Sequence, residues 1–176
     1  MGNVLKSQNN LKEAINAYNK AISINPKYPE AYFNLGIACK ETGRVEKALD
    51  AYNKAISIKP DYVEAWINGS EALEKWNKLD QLGAWLDKAF NLFDKVPADI
   101  RFMKSKLFWR NKRYDDTLSL MSDIQLEDIT DTQKQHYLYL KAKCFEEAQD
   151  FDNAYNCFAQ SNLLAKKSRE YLRLNP

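Results

Sequence analysis

Apolar positions along the chain recur with the three-and-four spacing of helices rather than the alternation of strands. The clearest stretch has Tyr32, Leu35, Gly36 and Cys39 on one stripe, then Ala48, Tyr52 and Ala55 on another, closed by Pro60. This pattern predicts two helices joined by a turn at Gly43, where a positive φ suits glycine, with Pro60 ending the second helix. Gly36, Ala48 and Ala55 are small enough for the two helices to approach closely, and Tyr52 fills the space left between them. The octapeptide AYNKAISI occurs at residues 17–24 and again at 51–58, starting 34 residues apart and followed each time by a proline two positions on, Pro26 and Pro60.

The period extends in both directions. Ala14, Tyr18, Ala21 and Pro26 mark the second helix of an earlier unit, with Gly2 and Leu5 standing where Gly36 and Cys39 stand one period later. On that reading the chain starts inside a repeat. Forward by 34, Trp66 takes the place of Tyr32, Ser70 that of Gly36 and Leu73 that of Cys39, with Leu82, Leu86 and Ala89 on the second helix. A degenerate unit follows after a one-residue insertion (Ser105, Phe108, Thr117, Met121, Ile124), then a polar connection from Gln125 to Thr132. Leu138, Ala142, Phe145, Ala154 and Phe158 restore the pattern, and the tail from Leu163 reads as a polar-faced closing helix or the start of a linker. The division is a truncated repeat at 1–28, repeats at 29–62 and 63–97, a degenerate repeat at 98–132, a repeat at 133–168 and a tail at 169–176, all in one domain.

The aromatic at Tyr32, Leu35-Gly36, the Ala48-x3-Tyr52 pair and closing Pro60 follow the signature W-x2-L-G-x2-Y…A-x3-F…P, and the chain resembles the tetratricopeptide repeat (TPR) family. The resemblance implies an all-α fold, a right-handed superhelical solenoid of antiparallel helix pairs. It also implies a protein–protein interaction scaffold that takes a peptide or protein partner in a concave groove.

Within that picture the first helix of each pair lines the groove. At about 100° per residue, Leu35, Gly36 and Cys39 cluster with Tyr32 on the packing side, while Phe33, Asn34, Ile37 and Lys40 fall on the other. The same offsets give Ile67, Asn68 and Glu71 in the next unit, Phe102, Lys106 and Trp109 in the degenerate one, and Tyr139 and Lys143 in the last. The aromatic members are candidate anchors for a partner side chain. Asn34 and Asn68 share one offset, and an asparagine amide both donates and accepts, so the two could pair with the backbone of an extended peptide of any sequence. Transferases that carry such a ladder ahead of their catalytic domain are similar in this respect. The carboxylate clamp of chaperone-binding TPR proteins is not expected, because Ile67 and Glu71 stand where it needs cations.

Composition narrows the function further. The chain has 176 residues, 28% of them charged, with a formal net charge of +2. No broad basic face appears, so nucleic acid is not an expected partner. No apolar run is long enough to span a membrane, and the N-terminus carries no signal peptide, which together suggest a cytoplasmic protein. Cys39, Cys144 and Cys157 are odd in number and sit within apolar helical patterns, as buried reduced thiols would. His136, the one histidine, has no nucleophile or metal-ligand partner at useful spacing, so neither catalysis, metal nor cofactor is expected. The alternative reading is a non-catalytic, substrate-presenting or regulatory arm of a larger transferase, sulfotransferase-like or glycosyltransferase-like, with its catalytic domain beyond Pro176. Self-association through the apolar flank of residues 14–21 in the truncated first repeat is a further expectation.

Overall fold

The computed structural model describes residues 10–174, and among them all regular structure is helical. Gly2 and Leu5 lie outside the described residues. Among the described residues nine α-helices follow in order: α1 (Leu11–Ile24), α2 (Pro29–Glu41), α3 (Val45–Ile58), α4 (Val63–Lys75), α5 (Leu79–Leu92), α6 (Ala98–Arg110), α7 (Tyr114–Ser122), α8 (Asp131–Glu147) and α9 (Phe151–Leu174). A 3₁₀ turn, Leu126–Asp128, lies between α7 and α8. The helices form two compact units, one up to Lys95 and one from Val96.

In the first unit each helix packs on its successor, and α2 also packs on α4. Turns of three residues join α2 to α3 and α4 to α5, too short for anything but antiparallel neighbours. The anticipated close approach holds at Gly36, where an added Cβ would lie 2.4 Å from a ring carbon of the fully buried Tyr52. One period on, the approach is made not by Ser70 but by Gly69, whose Cβ would lie 2.3 Å from the Trp85 ring. Ser70 is buried and satisfies itself by donating to the Trp66 carbonyl at 2.9 Å. Trp85 is one residue ahead of the strict 34-residue period and so is its glycine, which keeps the glycine–aromatic interval at 16. The Trp85 indole also donates to the Trp66 carbonyl at 3.0 Å, and the Trp66 indole to the Pro60 carbonyl at 2.9 Å.

Every first helix ends in the same way. Gly43 has φ 73°, as expected, and Asn77, Lys112 and Gln149 occupy the same left-handed conformation at φ 55°, 58° and 60°. Each is followed by the paired bonds of a Schellman cap: Gly43 N donates to Lys40 O and Arg44 N to Cys39 O, with matching pairs at 77/78, 112/113 and 149/150. The turn geometry is thus repeated four times although glycine is present once.

The second unit contains α6 to α9. Its core is built from Phe102, Met121, Ile124, Ile129, Tyr137, Leu138 and Leu140, and the Tyr137 hydroxyl donates to the Met121 carbonyl at 2.7 Å. The connection from Gln125 to Thr132 is therefore not merely a polar spacer. Ile129 is 5% exposed, and Thr130 caps α8 in a capping box with Gln133. Residues of the tail join α9, which runs to Leu174 as a single helix.

Candidate functional site

Of the residues assigned to a groove from sequence, three come together in the first unit. Lys40, near the end of α2, reaches across to α4 and places its Nζ 2.7 Å from Asn68 Oδ1 and 3.0 Å from a Glu71 carboxylate oxygen. Asn34 and Asn68 are held alike: each Nδ2 donates to the carbonyl four residues back, Glu30 at 2.8 Å and Glu64 at 3.0 Å. An amide nitrogen carries two hydrogens, so one N–H of each asparagine is not consumed by that bond. Phe33, Ile37 and Ile67, on the same two helices, are half-buried. Phe33 stacks at 5.0 Å on Tyr62, which burial holds above the ordinary phenol pKa, and at 6.1 Å on Tyr52. Tyr52 is shifted upward too, first by burial and then by the Glu71 carboxylate, so its hydroxyl lies within the field of this cluster.

The second unit departs from the expectation. Phe102 is 2% exposed and belongs to the core, with its ring against His136 at 5.7 Å and Tyr137 at 6.1 Å. Its position faces the next first helix, and a large aromatic there is covered by that neighbour. Trp109 is half-buried, like Phe33, and packs against the same core, so of the two aromatics only Phe102 is closed to a partner. Lys106 is half-buried with its Nζ 4.0 Å from the Met103 sulfur. Tyr139 is 44% exposed and packs edge-on to Phe158 at 5.9 Å. Lys143 lies over the same Phe158 ring and pairs with Glu146, whose hydrogen bond pushes the lysine pKa up. These two make a small exposed patch on α8.

Cys39, Cys144 and Cys157 are buried free thiols. Burial raises all three, Cys144 to about 11, so none is a ready nucleophile at neutral pH. Among the described residues no cluster of His, Cys, Asp and Glu could hold a metal ion, and no helix is long and apolar enough to cross a membrane.

Two family models match the chain, one described as TPR repeat over residues 2–43 and one as tetratricopeptide repeat over residues 29–62. Residues 2–62 thus match tetratricopeptide-repeat models. The fold is similar to that of solved structures: the crystal structure of MamA shares 17% identity at a TM-score of 0.76, covering 97% of this chain and 98% of that one. MamA 41-end from Desulfovibrio magneticus RS-1 shares 14% at 0.73, covering 94% and 92%. YrrB, described as a TPR protein with an unusual peptide-binding site, shares 18% at 0.66, covering 96% and 88%. Comparison with curated protein sequences gives no match. TPR helix pairs are an all-α scaffold for protein interaction.

Proposed function

We propose that the face formed by α2 and α4 binds an extended peptide segment of a protein partner. The observation that carries this reading is the convergence of Lys40, Asn68 and Glu71 beside the two like-oriented asparagines. A lysine locked by two acceptors immobilises the asparagine carbonyl, and the asparagine then offers a fixed N–H donor at low entropic cost. Asn34 offers the same donor from the preceding helix. Peptide carbonyls are acceptors in any sequence, so these two rungs supply affinity, while Phe33, Ile37 and Ile67 select side chains.

A phage-displayed random peptide library selected on the full chain tests this. Peptides selected for this face are expected to lose binding to the Asn34→Ala/Asn68→Ala double variant by at least about fivefold, from two lost hydrogen bonds of roughly 0.5–1.5 kcal/mol each. Far-UV circular dichroism should stay unchanged. A selection in which no peptide is weakened by the double variant would remove this face from consideration.

A further inference from the structure

The duplicated octapeptide builds more than helix packing. Its two copies lie in α1 and α3, and with α2 they bound a cleft of about 440 Å³, within the size range of small ligand sites. This cleft opens on another side of α2 from Asn34: Tyr32, which lines it, and Asn34 stand about 200° apart around the helix axis. Its apolar part comes from Ile15, Tyr32 and Leu35. Its α3 wall carries Arg44, Lys47 and Lys54 against one carboxylate, Asp50, all exposed at the rim. Lys40 and Lys78 are both drawn into ion pairs, with Glu71 and Glu46. Among the described residues Arg44, Lys47 and Lys54 are not.

We propose that this cleft is a second docking site, for an acidic peptide segment of a protein partner with an apolar side chain between two carboxylates. The three unpaired cations call for negative charge, and the apolar floor calls for a side chain that a bare anion lacks. Lys47 and Lys54 are seven residues apart on α3, about 10.5 Å along its axis. In a polyproline-II-like chain, residues i and i+3 share a face about 9.3 Å apart, so a Glu-x-x-Glu segment brings one carboxylate to each lysine. Asp50 sits between the two lysines and would repel a continuous run of phosphates, which favours spaced carboxylates over a nucleic-acid backbone.

The test uses fluorescein-labelled Glu-Leu-Pro-Glu and its Gln-Leu-Pro-Gln counterpart, with anisotropy read on the full chain at low salt. Saturable binding of the acidic peptide is expected. It should be at least about fivefold weaker for the glutamine peptide and for the Lys47→Gln/Lys54→Gln variant, since each exposed pair contributes modestly. The Asp50→Asn variant should bind the acidic peptide more tightly, and Asn34→Ala/Asn68→Ala as well as the unaltered chain. The proposal fails if binding is absent up to millimolar concentration, if the two peptides bind alike, or if the lysine variant binds unchanged. It also fails if the asparagine variant loses binding, which would move the peptide to the α2/α4 face, or if labelled oligothymidylate displaces the peptide at lower concentration than the unlabelled peptide does.

Discussion

Gly36 has room for nothing but hydrogen. A methyl group there would overlap the Tyr52 ring, which is fully buried and cannot swing aside. Gly36→Ala should therefore destabilise the chain by about 1–3 kcal/mol, the usual cost of overpacking, despite alanine's better helix propensity. Gly69→Ala should do the same against Trp85. Urea unfolding followed by tryptophan fluorescence measures both, and a gain in stability would show that α3 and α5 can draw back. Tyr52 also carries a hydroxyl that is buried without a hydrogen-bond partner. Tyr52→Phe removes that group at no loss of ring packing and should stabilise by about 1 kcal/mol in the same assay.

At the scale of elements, the four Schellman caps make a graded experiment. Lysine and glutamine pay a steric cost in the left-handed region that asparagine pays less and glycine not at all. Lys112→Gly and Gln149→Gly should each raise stability by about 0.5–1 kcal/mol, with a smaller gain at Asn77→Gly. Gly43→Ala should lower it by about 1 kcal/mol. Thermal melting of the four variants ranks them, and an inverted order would mean that side-chain contacts, not backbone strain, set these turns.

For the whole molecule, the buried acids that matter are not carboxylates. Cys144 is pushed up to about 11, and Cys39, Cys157, Tyr18, Tyr52, Tyr62 and Tyr137 are all raised, in each case mainly by burial. A raised pKa means the folded chain holds its proton where the unfolded chain has lost it. Stability from these groups is full below about pH 7.5, and it drains away as pH climbs from the unfolded thiol and phenol values through the folded ones. The melting temperature should hold between pH 6 and 7.5 and fall by about 5 °C or more by pH 10.5. Tyr52→Phe should blunt the fall, and a flat profile to pH 10.5 would show that these groups titrate as they do when unfolded.

Helix type, helix order, the turn at Gly43 and the small-to-large packing of Gly36 on Tyr52 were all legible in the sequence, because each follows from a residue's relation to its own backbone or to a partner at fixed spacing. The polar positions Lys40, Asn68 and Glu71 were legible as one surface for the same reason. Residue order did not reveal that Gly69 and not Ser70 meets the aromatic, that Phe102 turns into the core, or that Ile129 anchors a polar connection. A helical wheel gives a side chain's direction about its own axis, whereas burial depends on how that axis is rotated against its neighbours. In the first unit that rotation accompanies the Trp85 ring seated over Gly69, a contact no single helix contains. The octapeptide AYNKAISI shows both sides: its alanines and tyrosine set the stacking from sequence alone, while only the tertiary structure brought its two copies to the walls of one cleft.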